Sequence, residues 1–231
     1  MPDRGLLDRP PSPVGPLLPH AGWMLTGVRL AQLTFEVDRE AALAVLPTEA
    51  SRPVPCYARL VVLEAEGSPA GPIRLAALLA GARYKMFPRN VLVDGIVDGP
   101  VEAFAAAFGG PFRQGSVTLT KREAEVTATV AADGEDLGRL VLPAARAVEP
   151  SMLRWDAWLG YAASGGAVQL IEYAPRAEIR EAFLSKGATL GTSAALPRTH
   201  VWRRFRNLKT ISACYFEGDL WLSAPEFQQA P

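Results

Sequence analysis

The sequence predicts an α+β chain, rich in β-strand with a few short helices. Three observations predict it. Glycine and proline number 20 each among 231 residues and fall between short apolar segments, the spacing of turns between strands. Several of those segments roughly alternate apolar and polar residues, the period of a half-buried strand. Alternating β–α units and any internal period of 20–50 residues are missing, which argues against a dinucleotide-binding fold and a repeat array.

The elements follow in order. Residues 1–24 read as an irregular arm: prolines break MPDRGLLDRPPSPVGPLLP, so it is not a secretory signal. Residues 25–231 contain no strong linker and read as a single domain. VRLAQLTFEV (28–37) roughly alternates and contains β-formers, so a strand is expected. Asp38 can cap a short helix, DREAALAVL, which Pro47 ends. VPCYARLVVLEA (54–65) is apolar on both faces and reads as a buried strand. PIRLAALLAGARY (72–84) is ambiguous, because alanine and leucine favour helix by propensity. VLVDGIV (91–97) reads as strand, and VEAFAAAF (101–108) as a short helix closed by Gly109 and Gly110. GSVTLTK, AEVTATVA and LGRLVLP read as three strands, the last pair joined by an Asp133–Gly134 turn. AVQLIEYAPRAEIREAFL (167–184) reads as one long bent strand, and THVWRRFRNLKTISACYF (199–216) as a strand region near the end.

Composition removes several function classes. Basic and acidic residues balance at 24 each, so there is no basic field for nucleic acid. Hydrophobic residues make up 49%, which excludes global disorder, and no apolar run approaches the length of a membrane span. Cys56 and Cys214 are too few and too far apart for a disulfide framework or zinc ribbon, so the cytoplasm is the expected compartment. His20 and His200 are the only histidines, which disfavours a histidine-rich metal site and a Ser–His–Asp triad. No phosphate-binding loop, HExxH or GxSxG occurs. HVWRRFR interleaves aromatics and arginines as nucleic-acid binders do, but on a strand in a neutral chain it reads as an ion-paired or solvated face.

The order of segments resembles the acetoacetate decarboxylase superfamily. QLTFEVDREAALAVLP followed by VPCYARLVVLEA is similar to that family's opening strand, short helix, proline and second strand. VEAFAAAF leading to Gly-Gly-Pro-Phe-Arg-Gln-Gly resembles its short helix and aromatic-Pro-Lys-Lys turn. The stretch from Glu149-Pro150-Ser151-Met152-Leu153 through QLIEYAPRAEIREAFLSKGATLGTS to the last strand resembles its closing part. Together these cover roughly residues 25–222, and the specificity lies in order and spacing. The resemblance implies a closed, cone-like antiparallel β-barrel with a few peripheral short helices and an internal apolar pocket of small-molecule size. It makes PIRLAALLAGARY a strand, because burial on both faces can override local propensity. It also implies a homo-oligomer, with WDAWLGY at an interface or in the core.

The same resemblance exposes a chemical departure. Active members use a lysine pair after the proline of that turn, and one lysine forms an imine with a ketone. Here Phe112 and Arg113 follow Pro111. Phenylalanine forms no imine, and arginine stays charged. Two family glutamates fall on Arg59 and near Pro69, and the family's pocket arginine falls on Val28, one residue from Arg29. One residue on a strand changes the face, so Arg29 is the weaker candidate. Arg59 shares its strand face with Tyr57, Val61 and Leu63, and a guanidinium among apolar side chains needs a partner. That partner is a ligand carboxylate or an internal one such as Glu64 or Glu36. The candidate ligand-binding residues are therefore Arg59, Arg113, Phe112, Tyr57 and Arg29, with Tyr57 and Phe112 also readable as core. Only four lysines exist, Lys85, Lys121, Lys186 and Lys209; a migrated Schiff-base lysine would be Lys209 or Lys85. The expected function is binding of a small anionic or oxygenated organic molecule without Schiff-base decarboxylation and without cofactor or metal. A divergent lyase or hydratase and an inert structural paralogue are the alternatives, and the catalytic residues stay open. Neither nucleic acid nor membrane is an expected partner.

Overall fold

A computed structural model describes residues 22–108, 111–123, 125–143, 146–153, 156–164 and 167–222. Alternating apolar side chains build β1 (Trp23–Glu36). Asp38 then caps α1 (Arg39–Leu43) by accepting from the backbone of Glu40 at 2.8 Å and Ala41 at 3.3 Å. Three long strands follow: β2 (Tyr57–Ala65), β3 (Ile73–Tyr84) and β4 (Phe87–Asp98). β3 is the segment with helical propensity; it is a strand because almost every side chain from Ile73 to Ala82 is buried on one face or the other. α2 (Val101–Phe108) leads to β5 (Phe112–Arg122), β6 (Glu125–Ala132) and β7 (Glu135–Pro143). The remaining elements are β8 (Arg146–Ala147), a 3-10 turn at Pro150–Met152, β9 (Trp158–Ser164), β10 (Ala167–Tyr173), β11 (Pro175–Leu184), β12 (Thr189–Thr192), α3 (Val201–Arg204) and β13 (Lys209–Leu222). β1 starts at Trp23, two residues before the expected domain start.

The hydrogen-bonded strand order is β12-β7-β6-β5-β4-β3-β2-β1-β13-β11-β8, with β9 joining β4 and β10 joining β9. Most neighbours are antiparallel; β4 pairs with β5 and with β9 in parallel. The expectation of a β-rich chain with few short helices holds. The closed barrel needs a correction. Among the described residues the ladder is an open path, and no pairing joins its ends, β12 and β8. Those end strands have only four and two residues, too little edge to carry a closing ladder.

Two apolar layers sandwich the sheet β4-β3-β2-β1-β13. One face packs Leu33, Phe35, Leu60 and Val62 against Val117, Val126 and Leu140 of the β5–β7 sheet and against Trp202. The other face packs Val28, Leu30, Val61, Leu63 and Leu75 with Phe104 of α2, Tyr173 and Phe216, and Phe112 and Trp158 join it.

Two further expectations change. Residues 167–184 are two strands, not one: β10 pairs with β9, whereas β11 pairs with β13 and β8. HVWRRFR is not a strand. His200 caps α3, its Nδ1 accepting from the Trp202 backbone at 3.3 Å. On a strand Val201 and Trp202 would face opposite ways. One helical turn buries Val201, Trp202 and Phe205 together and leaves Arg203 to donate to the carbonyl of Ala194 at 3.2 Å.

Candidate functional site

Register assigns each candidate to a face. Thr34 lies opposite Arg59, Arg59 opposite Leu79, and Leu79 opposite Leu92. These side chains therefore share the face that carries Leu30, Val61 and Leu63. Of the positions matched to the family's pocket, Val28, Arg59 and Phe112 belong to this face and Arg113 does not. Most of it is apolar. At the end beyond Val61 the side chains turn polar: Gln32 and Thr34 from β1, Arg59 and Tyr57 from β2, Asn90 from β4.

Arg59 is the centre of that end. It is buried, 8% exposed. Its Nε donates to Thr34 Oγ1 at 3.3 Å, and its Nη2 donates to Asp156 Oδ2 at 3.0 Å. Among the described residues its Nη1 has no hydrogen-bond partner, nor has Gln32 Oε1, nor either polar atom of the Asn90 amide. Buried polar groups without partners are rare in folded proteins, and four such atoms on one face of one sheet mark an incomplete site. Asp156 reaches it from the segment that enters β9. Asn90 holds that segment by donating its backbone N–H to the Ala157 carbonyl at 3.0 Å.

Tyr57 closes the side of the site. Its ring lies over Gly81, where an added Cβ would stand 2.5 Å from ring carbons. Gly81 in turn pairs with Asn90 across β3 and β4. Burial raises the Tyr57 pKa; the nearby Arg59 opposes the shift and Asp156 adds to it. Cys214 lies across from Gln32 in the β1–β13 register. Burial pushes its thiol up to about 11, against a smaller pull from Arg59, so it is no thiolate at neutral pH.

The other candidates lie elsewhere. Arg113 faces the opposite side of the sheet. Its Nη2 and Nε donate to the Asp94 carboxylate at 2.9 and 3.2 Å, and its Nη1 pairs with Asp133. Asp94 also accepts from Trp202 Nε1 at 2.7 Å. Burial pulls the Arg113 pKa down, but hydrogen bonding to Asp94 and the charges of Asp94 and Asp133 outweigh it and the net shift is upward. The expected convergence of Arg59 and Arg113 on one ligand does not occur, because adjacent residues on β5 alternate faces and Phe112 takes the inward one. Phe112 packs over Gly95 and meets Phe104 edge to face, centroids 4.8 Å apart. Arg29 also faces the other side, its Nη2 2.6 Å from Glu64 Oε2. Glu64, engaged there, is not the partner of Arg59; Glu36 is not either.

All four lysines are exposed, Lys209 and Lys85 included. Lys85 sits in the two-residue turn between β3 and β4, and Lys121 is held by Glu181 and Glu217 at 2.9 and 2.8 Å. Sequence reading missed Asp156, Asn90 and Gln32. Asp156 is 97 positions from Arg59, and no spacing rule joins them. Among the described residues no group of three or more His, Cys, Asp or Glu side chains forms a metal site. Two surface clefts, one bounded by Arg139, Gly191 and Ser193 and one by Glu64, Arg74 and Asp98, do not include Arg59.

Searches with family models and against curated proteins return no match to this chain. Solved structures do match. Acetoacetate decarboxylase from Legionella pneumophila superposes with a TM-score of 0.74 at 15% identity, over 96% of this chain and 94% of that one. The enduracididine biosynthesis enzyme MppR, complexed with pyruvate, gives 0.74 at 13% identity over 90% and 91%. An acetoacetate decarboxylase-like enzyme from Sphingomonas wittichii RW1 gives 0.72 at 16% identity over 90% and 93%. The chain has the acetoacetate decarboxylase-like fold.

Proposed function

We propose that, on this acetoacetate decarboxylase-like fold, the chain binds a small anionic, oxygen-bearing organic molecule at Arg59 and does not engage it through an imine. One observation carries the reading: a buried guanidinium, anchored by Thr34 and Asp156, keeps Nη1 free on the face where the fold's pocket positions fall. A carboxylate oxygen accepting from Nη1 would complete it with a charge-assisted hydrogen bond. Tyr57 and Phe112 would bound the ligand's surroundings as apolar walls. That MppR is described in complex with pyruvate supports a short oxo acid as the ligand type. The absence of imine chemistry is supported by Phe112 in place of the first lysine and by the exposure of all four lysines, since an imine-forming amine needs a desolvated or charge-crowded site to lose its proton. Assembly as a homo-oligomer, read from the resemblance, and a cytoplasmic location, read from the two cysteines, belong to the same proposal.

The second reading is a lyase or hydratase on the same class of compound. Asp156 favours it, because a carboxylate beside Arg59 can take or return a proton while the guanidinium holds developing negative charge.

Thermal shift across pyruvate, acetoacetate and short aliphatic carboxylates tests the binding. The wild type is expected to be stabilised by at least one of them, and Arg59→Met to lose the response. No wild-type response leaves an inert paralogue. Borohydride added with acetoacetate, followed by intact mass, is expected to give no adduct; a stoichiometric adduct on any lysine overturns the imine-free reading. Proton NMR of the same mixtures decides between binding and turnover.

A further inference from the structure

Asn90 is fully buried, and among the described residues neither Oδ1 nor Nδ2 has a partner. A structural asparagine in a core fixes its neighbours by hydrogen bonds, and this one fixes none with its side chain. Its backbone N–H is engaged with Ala157, which holds the residue in place on β4. Its cross-strand neighbour Gly81 has no side chain, and the Tyr57 ring fills that space from the Arg59 strand. Asn90 and Arg59 thus share one face and one end of the sheet in adjacent rows, Tyr57 standing in the row of Asn90.

The open groups of Arg59 and Asn90 differ in kind. Arg59 Nη1 only donates. The Asn90 amide donates and accepts. A molecule that meets both carries an acceptor anion at one end and, at the other, a group that accepts and donates side by side. A primary amide does this with two antiparallel N–H···O bonds. A methyl ketone satisfies only half of Asn90, and a branched alkyl group satisfies none of it. We infer that Asn90 is a specificity-determining residue and that the ligand is a short carboxylate bearing a terminal primary amide. This rests on the Arg59-centred binding reading.

Two isosteric series measure it by calorimetry on the full chain: malonamate, acetoacetate and 3-methylbutanoate, and one carbon longer, succinamate, 4-oxopentanoate and 4-methylpentanoate. In at least one series the wild type is expected to bind the amide tenfold or more tighter than the alkyl isostere, with the ketone between, because a site built to hydrogen-bond rejects a ligand that leaves it unpaired. Asn90→Leu is expected to bring the three within about twofold of one another and, without ligand, to raise Tm by roughly 2–6 °C by removing an unsatisfied amide. Measurable but equal binding in the wild type overturns the role of Asn90 and leaves the Arg59 reading standing; so does a preference that survives in Asn90→Leu. Unfolding or a lowered Tm in Asn90→Leu marks a structural asparagine and also overturns it. Failure of every carboxylate to bind the wild type overturns the Arg59 reading and this inference with it.

Discussion

Asp94 and Arg59 stand on opposite faces of the same layer of strands, and their surroundings differ. Asp94 receives two hydrogen bonds from Arg113 and one from Trp202, so its carboxylate is held from β5 and α3 at once. Arg59 receives help from Thr34 and Asp156 and still keeps one nitrogen open, with open atoms on Gln32 and Asn90 beside it. Each centre pairs a buried charge with a partly exposed one. The first ties β4, β5 and α3 together, with both oxygens of Asp94 hydrogen-bonded. The second has capacity that nothing among the described residues uses. A hydrogen-bonded network reads as structure, and one with open buried atoms is what the binding proposal rests on.

The strongest way to break this contrast is to remove both arginines in turn. Arg113→Met strands the Asp94 carboxylate, which is 9% exposed, and is expected to cost about 2–3 kcal/mol in urea unfolding. Arg59→Met leaves Asp156, which is 25% exposed and can take up water, and is expected to cost about 1 kcal/mol or less. Equal costs would make Arg59 a structural residue like Arg113.

Space sharpens the contrast next. Gly81→Ala drives a Cβ into the Tyr57 ring, and overpacking of this kind costs about 1–3 kcal/mol. It is expected to weaken carboxylate binding as well, because Tyr57 must shift beside Arg59. Gly191→Ala on β12 meets no atom within 4 Å and is the control, within about 0.5 kcal/mol of wild type. A stability loss at Gly81 without any change in binding would separate Tyr57 from the site.

The smallest effect is electrostatic and lies on the satisfied side. Lys121, hydrogen-bonded to Glu217, holds that carboxyl below its ordinary range, with burial opposing and Tyr215 assisting. A depressed carboxylate pKa adds stability that is present above the unfolded value and lost as pH falls. Glu217→Gln is therefore expected to cost a few tenths of a kcal/mol to about 1 kcal/mol at pH 7. The difference from wild type should vanish between about pH 5 and 3. A difference that persists at pH 3 would assign the effect to packing instead.

Sequence alone determined the strand-rich composition, the Asp38 cap, the Gly–Pro punctuation and the loss of the lysine pair after Pro111. These are local properties, fixed by residues within a few positions of one another. Alternation also determined that Arg59 shares a face with Tyr57 and Val61; that Phe112 and Arg113 point opposite ways came only with β5 starting at Phe112. Only the tertiary structure decided the rest. It made Ile73–Tyr84 a strand, because burial on two faces outweighed alanine's helical preference. It made Val201–Arg204 a helical turn, because three large side chains had to enter one core. It paired Arg59 with Asp156 and left Asn90 unpaired, and both facts depend on how β9 enters beside β4. Contacts between residues far apart in the chain follow from which faces pack together, and no local pattern records that choice.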